Sequence, residues 1–321
     1  IGAGPAGLTA AEALRVKGYD VHVYDRHDRA GGLLTYGIPG FKLEKPVVMR
    51  RVERLAAGGV HFHQGFAVGR DASLADLRAK HDAVLIATGV YKARQVEVPG
   101  ADGPTTMEAL DFLIAANKAG FGDVLPDAAT FDAAGKHVVV IGGGDTAMDC
   151  VRTAIRQGAA SVKCLYRRDR ANMPGSAREV ANAEEEGVEF VWLAAPAEIT
   201  PNGVAAQGMR LGQPGADGRR SPEPDADNRF TLPADLVIKA LGFDAEDLPT
   251  LFGAPQLPVT RWGTVRIDHK TMMTGVDGVF AAGDIVRGAS LVVWAVRDGR
   301  DVAAQMHQYL RARVTASAAA A

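Results

Sequence analysis

Glycine-rich turns carry most of the chemistry that this sequence could do. In the opening stretch, IGAGPAGLTAAEALRVKGYDVHVYDR, Gly2, Gly4 and Gly7 stand at G-x-G-x-x-G spacing. The first glycine permits a tight turn, the second lets backbone approach a diphosphate, and the third allows close packing of helix on strand. An anion would rest on the N-terminus of a helix starting near Pro5, where free N–H groups and the helix dipole favour negative charge. Asp25 ends the next expected strand. A carboxylate there accepts ribose hydroxyls and repels a 2′-phosphate. The glycine pattern alone is weak, and a tight turn without a ligand is the competing reading. Helix, strand and acid in register make it strong.

A second stretch, HVVVIGGGDTAMDCVRTAIRQGAASVKCLYRR, repeats the plan with Gly142, Gly144 and Ala147. Asp145 and Thr146 are placed to cap the following helix or to touch ligand hydroxyls. The strand closes on Arg167 and Arg168 rather than on an acid. Guanidinium forks suit a phosphate ester such as the 2′-phosphate of NADP, although a solvated basic turn would look the same. The first turn thus fits a dinucleotide with free ribose hydroxyls, and the second fits NADP(H). A third segment, GVFAAGDIVRGASLVVWAVRDGR, brings Gly283 and Asp284 to a strand end and expects a helix from about Ala289–Leu291. After two dinucleotide turns it reads as the ribityl or diphosphate and ring-edge part of a flavin site.

These turns need strands to carry them. The second copy has its leading strand, Val138 to Ile141, whereas the first retains only Ile1 of its own. Because such a strand lies buried in a parallel sheet, the sequence is expected to be an excerpt. Between the copies, a helix is expected from Pro46 to Ala57, a short strand and turn in VHFHQGFAVGRD, an apolar strand in HDAVLIATGV, and a helix in TTMEALDFLIAANKAG. Beyond the second copy, SAREVANAEEEGVEFVW reads as helix then strand, and GRRSPEPDADN as a polar hairpin tip or loop. ADLVIKALGF reads as a strand ending in a turn. The close is a strand, a Gly-Asp turn and a long helix, with the tail TASAAAA frayed.

Composition excludes several function classes. The 321 residues hold 36 Lys+Arg against 38 Asp+Glu, a balance that argues against nucleic acid or an anionic membrane as partner. No apolar run approaches the ~20 residues of a membrane span. The two cysteines, Cys150 and Cys164, cannot by themselves hold a cluster or structural zinc, and they fit reduced core thiols of a cytoplasmic protein. The eight histidines show no metal spacing and read as scattered, so no metal site is expected. The AEEEG run reads as a solvated helix face. Ser176 and Ser290 lack a hydrolase context. Trp192, Trp262 and Trp294 read as packing, with Trp294 able to lie near the flavin end of the last helix.

The blocks GAGPAGL, AGGLLTYGIPGFKLEK, VLIATGVYKAR, GGGDTAMDCVRTAIRQGA, YRRDRANMPGS, IKALGF and AAGDIVRGASLVVWAVRDGR together resemble the NADPH-dependent glutamate synthase small (β) subunit family, over nearly the whole chain. The flavin part of dihydropyrimidine dehydrogenase is a more distant relative of the same plan. The resemblance implies an α/β flavoprotein of the disulfide-reductase type with two Rossmann-like dinucleotide-binding domains. The FAD domain would comprise 1–104 and 267–321, with an NADPH domain, 105–266, inserted between. FAD contacts are implied at Gly4, Pro5, Ala6, Asp25, Gly32, Leu33, Lys42, Val68, Thr88, Asp284, Ser290, Leu291 and Val292. NADPH contacts are implied at Gly144, Asp145, Thr146, Arg167, Arg168, Ala240, Leu241 and Gly242.

The family's Cys-rich N-terminal domain with iron–sulfur clusters is not in this sequence, so any 4Fe-4S cluster is expected outside it. The implied reaction is hydride transfer from NADPH to FAD, which needs no catalytic side chain. Electrons would then pass through iron–sulfur clusters to a glutamate synthase large (α) subunit. The alternative is an electron-donating subunit for a dihydropyrimidine dehydrogenase-like or ferredoxin-linked partner. A thioredoxin-reductase-like enzyme would need a redox Cys pair that is missing, and a non-catalytic nucleotide-sensing module would not need both turns intact.

Overall fold

Strand, glycine turn, helix and strand, read twice in the sequence, fold twice. This computed structural model describes residues 1–214 and 220–320. Two compact units emerge: Ile1–Tyr36, Phe41–Lys92 and Phe243–Ala321 form one, and Gly37–Gly40 with Ala93–Gly242 form the other. The chain changes unit at 92/93 and 242/243, whereas the sequence boundaries were set at 104/105 and 266/267.

The inserted unit is built on a five-stranded parallel sheet in the order Thr106–Glu108, Leu236–Lys239, His137–Ile141, Ser161–Tyr166, Glu189–Trp192. After the exposed His137, the central strand is apolar from Val138 to Ile141 because both of its faces are buried. Val138 and Val140 pack with Cys150, Val151 and Phe112 under the helices, and Val139 and Ile141 pack on the other side with Leu165 and Val204. That second face is covered by a three-stranded antiparallel sheet of Ala194–Thr200, Gly203–Pro214 and Arg220–Pro233. Most of GRRSPEPDADN was therefore misread. Arg220 to Asn228 lie in a strand, and Gly218 and Arg219 lie outside the described residues. Pro222 and Pro224 made the segment look like a loop, but an edge strand tolerates proline. Cys150 sits in the helix Asp145–Arg156 and Cys164 in the strand Ser161–Tyr166, as expected. Burial pushes both thiols up, Cys164 to about 12.

In the discontinuous unit, Val21–Asp25 pairs in parallel with Val60–Gln64, and Val84–Ile86 pairs in parallel with Val279–Ala281. Ile1 and Gly2 bridge the pairs: the Ile1 carbonyl accepts from Ala87 N–H at 2.8 Å, and Gly2 N–H donates to the Tyr24 carbonyl at 2.8 Å. The helix Leu74–Lys80 was not anticipated, although Ser73 and Asp76 form a capping box that the S-x-x-D spacing announces. The last helix runs Val292–Ala320, so its backbone continues through most of the tail read as frayed. Alanine's high helix propensity accounts for that. A separate short helix, Asp284–Arg287, precedes it.

The long helix crosses Pro5–Val16 closely. Leu8, Ala11, Val302, Ala303 and Met306 share one core cluster. At Gly299 a Cβ would lie 2.4 Å from the Ala6 carbonyl oxygen and 2.9 Å from Thr9 Cβ. Gly299→Ala would gain about 1 kcal/mol from helix propensity, but overpacking of this kind costs about 1–3 kcal/mol. Net destabilisation is expected, read as a lower urea midpoint. An unchanged or higher midpoint would show that the helix crossing has room to spare.

Candidate functional site

The discontinuous unit holds a cavity of about 420 Å³ at the C-terminal ends of its strands. Three segments found by sequence meet there: the turn Gly2–Ala6, the strand end at Asp25, and Gly283–Val292. Gly2 has φ 99°, and a Cβ on it would lie 2.4 Å from the Ala87 carbonyl oxygen. Gly7 lies behind the turn, where a Cβ would be 2.0 Å from the Gly2 carbonyl oxygen, so it shapes the cavity without lining it. At Gly4 a Cβ would meet nothing within 4 Å. The helix Pro5–Val16 begins at Gly4 with no side-chain cap, leaving its first amides to whatever enters the cavity.

Asp25 has more partners than sequence reasoning gave it. Its Oδ2 accepts from Ala3 N–H at 2.6 Å, and its Oδ1 accepts from His27 N–H at 2.8 Å and contacts His27 Nδ1 at 2.9 Å. The carboxylate therefore ties the glycine turn to the strand end, and Asp25 also lines the cavity. Burial alone would raise its pKa, but hydrogen bonds from the His27 side chain and the Ala3 and His27 amides outweigh that and hold it below the usual range.

Of the other expected residues, Gly32, Leu33, Val68, Thr88, Asp284, Ser290, Leu291 and Val292 line the cavity. Gly32 packs on the turn, where its Cβ would lie 2.9 Å from Gly4 Cα. Thr88 Oγ1 is buried with no hydrogen-bond partner. Asp284 Oδ1 accepts from the Ser290 hydroxyl at 2.7 Å, and burial raises the Asp284 carboxyl above its usual range against that bond. Lys42 is exposed and does not line the cavity. Neither does Trp294, whose ring instead lies 5.2 Å from the Arg287 guanidinium.

Sequence reasoning missed Arg26, Phe66, Tyr91 and Glu246, all in the lining. Arg26 bonds Glu246 at 2.8 Å and lies over the Tyr91 ring at 4.8 Å. Arg26 adjoins Asp25 in sequence and could have been flagged. Glu246 follows the whole inserted unit and carries no local signal.

The inserted unit presents the second turn. Gly142 has φ 147°, and a Cβ on it would lie 2.2 Å from the Ala240 carbonyl oxygen. Ala240, Leu241 and Gly242 thus adjoin the turn from the neighbouring strand end. Gly144 is open and caps Asp145–Arg156 with no side-chain bond. The expected capping by Asp145 or Thr146 is not found. Asp145 Oδ1 accepts instead from Ser176 N–H at 3.0 Å, tying the Gly175–Ser176 loop to the turn. Arg167 and Arg168 follow the adjacent strand end; Arg167 is exposed, and Arg168 Nε is buried without a partner.

The AEEEG face is no simple solvated surface: Glu186 pairs with Arg152 and Arg156, each at 2.7 Å, and Glu184 with Arg170 at 2.7 Å. Lys239 is 4% exposed at its side chain and is paired with Glu108 at 2.8 Å and Asp102 at 3.2 Å. None of the described helices is long and apolar enough to cross a membrane.

The profile of the pyridine nucleotide-disulphide oxidoreductase family matches residues 1–299. The glutamate synthase [NADPH] small chain of Azospirillum brasilense is 64% identical over all of this chain and 68% of its own length. The chain belongs to the glutamate synthase small-chain family of pyridine nucleotide-disulphide oxidoreductases. A β subunit named NADP(+)-dependent formate dehydrogenase, from Moorella thermoacetica, is 39% identical over 98% of this chain and 44% of its own. Among solved structures, Mycobacterium tuberculosis FprA in complex with NADPH superposes with a TM-score of 0.80 at 19% identity, over 98% of this chain and 85% of its own. The small-chain family member therefore has the disulfide-reductase-type α/β fold with Rossmann-like units and is an oxidoreductase.

In this small-chain family member the Asp25 bonds give an acid-dependent stability. The depressed carboxyl contributes above its unfolded pKa of about 3.9, and that contribution is lost as pH falls through the lower folded value. Asp25→Asn should cost about 1–3 kcal/mol at pH 7 and much less at pH 3, measured as urea midpoints at both values. Equal losses at the two pH values would show that the charge is not what holds the turn.

Proposed function

We propose that the discontinuous unit binds FAD, that the inserted unit binds NADPH, and that the chain is the electron-entry part of a glutamate synthase. The observation that carries this is the pairing of two uncapped glycine turns with strand ends of opposite charge, Asp25 in one unit and Arg167/Arg168 in the other. Two orphaned buried groups support the fit of the cofactors: Thr88 Oγ1 in the first site and Arg168 Nε in the second. When bound, the pair supplies hydride transfer from nicotinamide to flavin, followed by release of electrons one at a time.

The chain's residues do the holding. Gly4 and the first amides of Pro5–Val16 receive the FAD diphosphate. Asp25 offers its remaining lone pair to a ribose hydroxyl, and Thr88 offers its free hydroxyl to the ligand. Asp284, whose carboxyl burial raises above its usual range, and the start of Val292–Ala320 face the ribityl and ring portions. Lys42 is exposed and lies outside the cavity lining. In the inserted unit, Gly142 and Gly144 approach the NADPH diphosphate, Asp145 and Thr146 lie beside it, and Ala240–Gly242 flank it. Arg167 and Arg168 take the 2′-phosphate. No residue acts as acid or base. Iron–sulfur clusters outside these residues and a large subunit would receive the electrons, in the cytoplasm.

The resemblance to a formate dehydrogenase β subunit favours one second reading, in which the same electron-entry part serves another partner, dihydropyrimidine dehydrogenase-like or ferredoxin-linked. Copurification of the full-length protein with its partner separates the two.

The FAD part is tested by reconstitution. The purified chain mixed with FAD should turn yellow at one flavin per chain and reduce an artificial acceptor with NADPH. A well-folded protein that stays colourless would overturn the reading. The NADPH part is tested by replacing both arginines. Each lost charge-assisted contact is worth about 1.5–3 kcal/mol, so Arg167→Ala with Arg168→Ala should cut the NADPH-over-NADH preference at least about tenfold. An unchanged preference would place the 2′-phosphate elsewhere.

A further inference from the structure

Four of the eight histidines, read from sequence as scattered, meet on one face of the Val21–Asp25 and Val60–Gln64 strands. Parallel register sets His22 beside His61 and Tyr24 beside His63. The His22 ring stacks on His61 at 4.8 Å and on His63 at 5.2 Å, and His81 approaches His22 at 5.2 Å. Asp20, just before the first strand, contacts His22 Nε2 through Oδ2 at 3.2 Å and His61 Nε2 through Oδ1 at 3.3 Å. One ligand atom from each of these three residues lies within 4.8 Å of the other two.

We infer that Asp20, His22 and His61 form a binding site for a divalent transition-metal ion of the zinc class. Two imidazoles and a carboxylate are a zinc donor set, and three protein ligands leave a fourth position for water. The spacing agrees with that chemistry. Metal–ligand bonds of about 2.0–2.1 Å in a tetrahedron put neighbouring ligand atoms roughly 3.3–3.4 Å apart. With Asp20 Oδ2 as the ligand oxygen, its edge to His22 Nε2 already has that length. His61 meets the other carboxylate oxygen, so its two edges, within 4.8 Å, are set by small rotations of the Asp20 and His61 side chains.

His63 supplies the support that such sites use. His22 Nδ1 lies 2.9 Å from His63 Nε2. With Nδ1–H donating to His63, the Nε2 lone pair of His22 is free for the ion, which fixes tautomer and ring orientation. His63 is thus a positioning residue. The site belongs to the N-terminal end of the strand. Asp25 is three residues beyond His22, and at about 3.3 Å per residue the metal would lie roughly 10 Å or more from the nucleotide end. It would staple Asp20 and the first strand to the second.

The test is calorimetric titration of the full chain with ZnCl2 in a non-chelating buffer, with Co2+ absorption as a second readout. One ion per chain is expected. His22→Ala and His61→Ala should each weaken binding at least tenfold, whereas His269→Ala, an exposed histidine away from the cluster, should not change it. Because the His61 side chain is 56% exposed, its replacement leaves the core intact, and an unchanged melting temperature in metal-free buffer confirms this. Substoichiometric binding, or wild-type affinity in both variants, would overturn the site. His63→Gln, which retains an acceptor, should keep the affinity that His63→Leu loses. Equal affinities would remove His63 from the proposal.

Discussion

A glycine turn that aims its amides at an anion needs a restraint to keep one conformation, because glycine populates many. Here that restraint is the carboxylate of Asp25. It reaches from the end of one strand to Ala3 N–H in the turn before it, and to the His27 amide beyond. The glycines make the turn possible, and Gly7 lets the following helix settle on it, but neither property keeps the loop closed. The same residue lines the cavity, so the group that closes the turn also forms part of its wall. Its acidity is set by the bonds that close the turn, which is why the site's geometry and the protein's response to acid are coupled.

The inserted unit solves the same problem with other parts. Its Gly142 packs on Ala240 as Gly2 packs on Ala87, but its turn is tied by the Asp145 bond to Ser176. The two units therefore share a fold plan without sharing a latch. Strand ends then diverge in charge, acid in one and guanidinium in the other, so units of like topology present opposite charge beside their turns.

Local chemistry was legible in the sequence, and register was not. Gly2, Gly4, Gly142, Gly144 and the strand-end residues could be found because turn, helix and strand follow one another directly. The capping box of the Leu74–Lys80 helix is an equally local signal. Glu246 could not be found, since it joins Arg26 and Tyr91 only after the chain has returned from the other unit. The histidine cluster shows the same gap. His22 and His61 are far apart in sequence, and only the pairing of Val21 with Val60 makes them neighbours. Arg220–Pro233 failed for a different reason: its prolines and charges have loop composition, and its strand character comes from the partner Gly203–Pro214.

The interrupted chain has a consequence for how the molecule is made. Apart from Gly37–Gly40, the inserted unit is one uninterrupted run and can close on itself as it leaves the ribosome. The other unit cannot. Val84–Ile86 must wait for Val279–Ala281, and the apolar side of Pro5–Val16 must wait for Val292–Ala320. Domains form as units and largely in order of synthesis, so the first-made half of the discontinuous unit is assembled last. During that delay its bare strand edge and helix face are open to chaperones and to wrong partners alike.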